Sequence, residues 1–308
     1  MLSVALAARG LVGFDTMAKR RLPDPVLPFR WDLARREQLG TAVRAAGAGG
    51  SLWFADELVA CAAKVLARCE DGELFFVGRS AESVFDLLSG AVHGTSWRQR
   101  LRLLPFSMRL VDGRAVRRPA LQQIRANLES LGLAPARIAR RRRKVVFVDL
   151  VHSGSTYENL VALLHDWARE DAVPWSLVRP RLRLLGITSR TKTSPKTWRW
   201  QQHAAWAELL APRAIANVSL APDVWSYFGN HQAKLTESFP YWRWEHPPSP
   251  APRHDAKTLG ALVEAVAIYD AGRRLAPALA KHVTREPAFA EPWLRSLALM
   301  LRRGRAGP

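Results

Sequence analysis

The chain has 308 residues, of which 48% are hydrophobic and 24% are charged, and this composition indicates a globular protein with a sizeable core. Its formal net charge is +19, which favours an anionic partner. No apolar run approaches the roughly 20 residues that a membrane-spanning helix needs, so a helical membrane protein is excluded.

Residues 1–50 are expected to form an N-terminal arm with a short helix. The apolar stretch LSVALAARGLVGF is interrupted by Arg9 and has no basic residues ahead of it, so it does not match a secretory signal peptide well. The basic run after Met17 makes that residue an alternative start to Met1.

The next segment, Asp56–Cys69, is predicted to be helical because its apolar residues recur on one side. Cys61 and Cys69 lie eight residues apart on this helix, too far along its axis to form a disulfide. They are therefore expected to be buried reduced thiols, which favours a cytoplasmic protein.

A first strand-loop-helix unit follows at residues 73–92. The apolar strand Leu74–Val77 leads into a turn of Gly78, Arg79 and Ser80, and apolar residues then recur at helical spacing. Leu101–Met108 is expected to be a strand pair or an extended loop.

Positive charge is concentrated between residues 98 and 144. This window holds 14 Lys and Arg residues against only Asp112 and Glu129, so it contributes +12 to the net charge. Three interpretations stay open: a solvated basic face, a nucleic-acid-binding surface, and capture of an anionic substrate.

A second strand-loop-helix unit, Lys144–Leu164, carries the clearest functional pattern. Val145–Val148 form a β-branched and aromatic strand, and Asp149 stands at its carboxyl end. The loop Ser153–Thr156 then precedes a helical pattern. Free N–H groups and the positive end of the helix dipole would point out of this loop, so it predicts a phosphate site formed by Ser153, Gly154, Ser155 and Thr156.

The segment VVFVDLVHSGST resembles the PRPP-binding motif of the type I phosphoribosyltransferases, in which a strand and two acids precede a phosphate loop. The resemblance implies that Ser153–Thr156 bind the 5′-phosphate and that Asp149, as the second acid, orients the ribose hydroxyls. Val148 stands where the first acid usually lies. It further implies that Gly78, Arg79 and Ser80 form the pyrophosphate loop and that Mg²⁺ arrives with PRPP rather than in a protein cage.

Two further strands, Leu182–Thr188 and Ala214–Leu220, complete the expected core. Together these units predict an α/β fold: a parallel sheet with flanking helices, a phosphoribosyltransferase-like core over residues 51–220, and an aromatic-rich segment with a helical extension over 221–308. Trp200–Leu210 is expected to be helical, and residues 255–303 to form two or three helices. Arg190 and Lys192 follow a strand end, so either they contact the ligand or they lie in a solvated loop.

Three functions follow from these expectations. The first is transfer of a 5-phosphoribosyl group from PRPP, with Asp149 in the catalytic site, and the second is a regulator that binds PRPP or a nucleoside monophosphate without turnover. The third is a basic RNA- or DNA-associated protein on the same scaffold. The sequence lacks the P-loop, Rossmann, nucleophile-elbow and zincin motifs.

Overall fold

The computed structural model describes residues 22–40, 52–107, 117–192, 200–238, 244 and 251–303. These residues have an α/β fold with one sheet of five parallel strands, which confirms the predicted fold class. The strands are β1 (Glu73–Val77), β2 (Leu101–Leu104), β3 (Val145–Leu150), β4 (Leu182–Ser189) and β5 (Ile215–Leu220). Their spatial order is β2-β1-β3-β4-β5, so β1 and β3 are neighbours although β2 lies between them in the chain.

Helices cover both faces of the sheet. Those assigned within the described residues are α1 (Ala55–Arg68), α2 (Glu82–Ala91), α3 (Arg118–Ser130), α4 (Pro135–Ala139), α5 (Ser155–Glu170), α6 (Trp175–Val178), α7 (Pro222–Ser226), α8 (Ala256–Val283) and α9 (Pro292–Arg303). One face packs against α1, α2, α8 and α9, and the opposite face packs against α3, α4 and α5.

The central strands are mostly apolar because both faces of the sheet are covered. Leu74 and Phe76 of β1 point into the layer that contains α1 and α2. Phe75 and Val77 point into the opposite layer, and all four side chains are fully buried.

The C-terminal part is helical, as predicted, and its long helix α8 packs directly on α2. A Cβ atom placed on Gly272 of α8 would lie 2.1 Å from the carbonyl oxygen of Leu87, and one on Gly90 of α2 would lie 2.0 Å from that of Tyr269. Only glycine permits this approach, because the two helix backbones are in contact there.

The predicted helix Trp200–Leu210 is replaced by two 3₁₀ turns, Trp200–His203 and Ala205–Leu209. Trp200 and Trp206 stack on each other, with ring centroids 5.8 Å apart and 23° between their planes. Residues six apart point in very different directions from a continuous α-helix, so this stacking requires the break.

Both cysteines are buried as free thiols, as expected. Burial raises the pKa of Cys61 and of Cys69 to about 12. Among the described residues, no helix is both long enough and apolar enough to span a membrane.

Candidate functional site

The strand order creates a crevice at the carboxyl ends of β1 and β3. The chain leaves β1 into α2 on one face of the sheet and leaves β3 into α5 on the other. The loops after these neighbouring strands therefore diverge, and such a point in a parallel sheet is where ligands bind. The two segments singled out in the sequence, Gly78–Ser80 and Asp149–Thr156, lie on either side of this crevice.

The loop after β3 presents an uncapped helix end. Gly154 adopts a left-handed conformation with φ of 87° and precedes α5 without a side-chain cap. The N–H groups of Ser155, Thr156 and Tyr157 consequently have no acceptor inside the helix. Ser153 and Ser155 are exposed beside them, with their hydroxyl oxygens 3.4 Å apart. This end of α5 has the donors and the dipole direction that an anion requires.

Trp200, which the sequence did not single out, packs against the same loop. A Cβ atom on Gly154 would lie 2.4 Å from Cε3 of the Trp200 ring. The indole is buried and donates its Nε1–H to Oδ1 of Asn217 on β5, at 2.9 Å. Gly154 is thus required both by its backbone angle and by the indole, so substitutions there would disturb the fold as well as the site.

Asp149 joins the two sides of the crevice. Its side chain interacts with the hydroxyl of Ser80 from the loop after β1 and with the backbone N–H of Leu150. The residue is only 5% exposed, and its Oδ1 atom has no hydrogen-bond partner among the described residues. Burial raises the pKa of Asp149 well above its usual value, although both hydrogen bonds oppose the shift. A buried carboxylate oxygen without a partner is costly unless a ligand satisfies it.

Tyr157 links the first turn of α5 to strands β3 and β4. Its hydroxyl donates to the carbonyl oxygen of Leu185 at 2.8 Å and approaches that of Phe147 at 3.2 Å. The ring is fully buried. This bond ties the first turn of α5 to β3 and β4, so the loop and Asp149 are held in one arrangement.

The loop after β1 carries one cation, Arg79, which interacts with Lys234 from a distant part of the chain. Gly78 has φ of +67° and donates its N–H to the carbonyl oxygen of Leu104 at 2.8 Å. Arg79 follows, half-buried, and lies close enough to the amine of Lys234 for their charges to interact. Burial first, and then repulsion from Arg79, lowers the pKa of Lys234 to about 8, against the attraction of Glu82 and two other carboxylates.

Lys234 belongs to a buried charged cluster at the start of α2. Arg30 from the N-terminal arm contacts Asp86 and lies 4.0 Å from Glu82. Both acids are almost fully buried, and burial raises the pKa of Asp86 to about 6 against the attraction of Arg30. This cluster anchors the arm and the segment around Lys234 beside the loop that carries Arg79.

The two other predicted contacts, Arg190 and Lys192, follow the end of β4. Arg190 pairs with Glu57 in the first turn of α1, with an N–O distance of 2.5 Å. Lys192 ends a short 3₁₀ turn, Arg190–Lys192, and its side chain lies outside the described ones.

Val148 faces away from the crevice. Adjacent residues of a strand point to opposite faces, so Asp149 points toward the layer of α5 while Val148 enters the layer of α1 and α2. Val148 is fully buried there. An acid at this position would therefore lie in an apolar core.

Part of the basic window of residues 98–144 is paired with acids near the opposite edge of the sheet. Arg141 contacts Glu73 at 2.5 Å, and Lys144 contacts Glu70 at 2.6 Å. Arg100 pairs with Asp71. These acids lie just before or at the start of β1, so these three cations lie at the amino edge of the sheet, away from the crevice.

Within the described parts of the chain, no group of three or more His, Cys, Asp and Glu side chains is arranged to hold a metal ion. A scan against protein-family models finds no match, and a search of curated proteins finds no significantly similar sequence.

Proposed function

We propose that the protein binds a 5-phosphoribosyl compound in the crevice between β1 and β3 and transfers the phosphoribosyl group from PRPP to an acceptor. The observation that carries this proposal is the contact of Asp149 with Ser80, beside the uncapped end of α5. This contact places a carboxylate with one unpartnered oxygen, which can accept hydrogen bonds from sugar hydroxyls, beside a helix end that can bind a phosphate.

Each part of PRPP has a counterpart in the crevice. The 5-phosphate would accept hydrogen bonds from the N–H groups of Ser155 and Thr156, and Asp149 would accept them from the ribose hydroxyls. The pyrophosphate would lie toward Arg79 and Lys234. Transfer breaks the bond from C1 of the ribose to the pyrophosphate oxygen and forms one to the acceptor, and the cations stabilise the departing charge.

Mg²⁺ would enter with PRPP. The only carboxylate that the described residues bring to both loops is that of Asp149, so the donor set fits an ion held mainly by substrate oxygens and water. The ion supplies neutralisation of phosphate charge. Location in the cytoplasm belongs to the same proposal and is supported by the free thiols of Cys61 and Cys69.

A second candidate is a regulator that binds the same ligand without turnover. It is favoured by the burial of Val148, because only one acid of the pair then faces the ribose. Both candidates predict ligand binding, and only the first predicts chemistry.

The test combines binding and turnover. Melting is followed with Mg-PRPP, ribose 5-phosphate, a nucleoside monophosphate and inorganic phosphate, and a ligand at about 100 times its Kd should add about 2.7 kcal/mol to the free energy of unfolding. Pyrophosphate release is then measured with a panel of amines and bases. No stabilisation by any phosphoribosyl compound would refute the proposal, and stabilisation without release would favour the regulator.

A further inference from the structure

We infer that an arginine-rich surface at the amino edge of the sheet binds the phosphate backbone of double-stranded nucleic acid, an activity that goes beyond the proposed small-molecule function. The amino edge is where the parallel strands begin, opposite the crevice at their carboxyl ends. The surface, called here the arginine surface, consists of six residues: Arg137, Arg140, Arg142, Arg179, Arg181 and Arg213.

Three of these arginines precede neighbouring strands. Arg142, Arg181 and Arg213 stand three, one and two residues before β3, β4 and β5. The register pairs the first residues of β3 and β4 with each other, and adjacent strands lie about 4.8 Å apart. Arg183 of β4 donates to the carbonyl oxygen of Arg213 at 3.0 Å and pairs with Glu70, which also binds the lysine just before β3. The segments that lead into the three strands therefore adjoin.

The other three arginines adjoin this group through two short helices. Arg137 lies on α4 and Arg140 directly after it, and Arg179 directly follows α6. These helices pack against each other, and each leads within a few residues into β3 or β4. Their buried side chains Ile138 and Val178 belong to the same apolar layer. The six arginines thus occupy neighbouring segments along one edge of the sheet.

The charges of the arginine surface are free to bind an external partner. Five of the six residues are exposed, and Arg181 is half-buried. Within the described chain, none of the six side chains takes part in a hydrogen bond, an ion pair or a ring contact. An external anion can therefore bind them without breaking an internal contact, and they keep their positive potential at the surface.

Acids of the same edge do not cancel this charge. The three acids just before and at the start of β1 already pair with five other cations of the edge. Among the described residues of the adjoining helix ends and turns, Glu129, Asp171 and Glu208 are acids without an ion pair. Six unpaired arginines and five paired cations thus stand against six acids, which leaves a net charge of +5.

The chemistry of this surface favours a phosphate backbone. Its free cations are all arginines, whose planar guanidinium groups bind phosphate oxygens through paired N–H groups. Of the exposed large hydrophobic residues in the described chain, only Leu177 lies on these segments. Base stacking and bilayer insertion therefore contribute little, because the first needs exposed aromatic rings and the second an apolar anchor. A duplex keeps its bases stacked and presents one charge per about 1.7 Å of its axis, so it supplies the required contacts.

The experiment measures fluorescence anisotropy of labelled RNA and DNA duplexes of about 20 base pairs over a range of salt concentrations, a length that exceeds the roughly 16 base pairs of a typical double-strand site. Wild type is compared with the double variant Arg142→Gln/Arg181→Gln and with the matched control Arg273→Gln/Arg274→Gln, which removes the same charge. Arg273 and Arg274 are exposed on α8, in the helix layer on the other face of the sheet from α4. Vesicles of phosphatidylserine with phosphatidylcholine, and polyglutamate, are tested in parallel.

We expect Arg142→Gln/Arg181→Gln to weaken duplex binding about ten-fold or more and the control to leave it unchanged. The slope of log affinity against log salt should be about −5 in wild type if all six arginines contact phosphates, and the double variant should lose about 2 of it. The RNA and DNA duplexes identify which backbone binds more tightly. Stabilisation by Mg-PRPP should be equal in all three proteins, because the crevice lies at the other edge of the sheet.

Three results would overturn the inference. The first is the absence of duplex binding at low salt, and the second is an equal loss of affinity in the control, which would reduce the effect to net charge. The third is binding of the vesicles or of polyglutamate as tight as that of the duplexes, which would assign the arginine surface to a membrane or to an acidic protein.

Discussion

Replacing Ser155 with aspartate should stabilise the free protein and weaken ligand binding, two effects that a purely structural role of the loop does not combine. Ser155 is exposed in the first turn of α5, where no side-chain cap is present. A carboxylate there interacts favourably with the helix dipole, by about 0.3–1 kcal/mol, so the Tm should rise by roughly 1–3 °C.

The same carboxylate would occupy the place of the phosphate. At about 4 Å, repulsion between it and a dianionic phosphate is about 2 kcal/mol even in the dielectric of water, which corresponds to a loss of affinity of about 30-fold. Ser155→Asn is the matched control because it has nearly the same shape without the charge.

The assay pairs a melting curve without ligand with isothermal titration of Mg-PRPP. If Ser155→Asp binds as tightly as Ser155→Asn, the end of α5 is not the phosphate site. A lower Tm for the aspartate variant would contradict the assignment of an uncapped helix end.

The remaining predictions concern the strand end and the helix crossing. Burial raises the pKa of Asp149, so the stability that its protonated carboxyl group contributes is fully present below the unfolded pKa and is lost as pH rises through the folded pKa. Melting curves should therefore show Asp149→Asn gaining Tm relative to wild type as pH rises. A constant difference in Tm would contradict this. The same variant should bind Mg-PRPP more weakly by about 1.5–3 kcal/mol in titrations, and unchanged affinity would make Asp149 structural. Val148→Asp should lower the free energy of unfolding, measured by chemical denaturation, by several kcal/mol because it buries an unpaired acid. A variant as stable as wild type would show that this position is accessible to solvent. Gly272→Ala should lower the free energy of unfolding by about 1–3 kcal/mol, because its Cβ would meet the carbonyl oxygen of Leu87. Gly260→Ala on the same helix, where a Cβ would have no atom within 4 Å, should be neutral or stabilising. Equal effects of the two substitutions would refute the backbone contact.

Four of the five strands and the two loops were predictable because their patterns are local, whereas Leu101–Met108, expected to be a strand pair or an extended loop, contains the single strand β2. Val145–Val148 is a continuous apolar run with Asp149 at its end, and Gly78 and Gly154 mark the turns where the backbone needs positive φ. The parallel sheet followed from repeated strand-loop-helix units, and its carboxyl edge was therefore the expected place of a site.

The long-range parts of the site were not predictable from such patterns. Lys234 reaches Arg79 and Glu82 across more than 100 residues of chain, and Trp200 reaches Gly154 from beyond the end of β4. One local feature pointed to the buried cluster: Glu82 and Asp86 lie four apart on a helix whose other residues are mostly apolar. Acids on such a helix require buried partners, which only the fold identifies.

The sequence also did not show that the side chain of Val148 is buried. Strand alternation assigns it to the face opposite Asp149, but only the packing of α1 and α2 shows that this face is sealed from solvent. The missing first acid of the motif therefore has a structural explanation, because Val148 is part of the core.

The most direct test of the account compares the affinities of ribose 5-phosphate and 2-deoxyribose 5-phosphate, by isothermal titration, in wild type and in Asp149→Asn. The account predicts that wild type prefers ribose 5-phosphate, because Asp149 accepts a hydrogen bond from the sugar hydroxyl, and that the asparagine variant loses most of this preference while still binding the phosphate. Equal affinities of wild type for the two sugars, or a preference that survives in Asp149→Asn, would contradict the account.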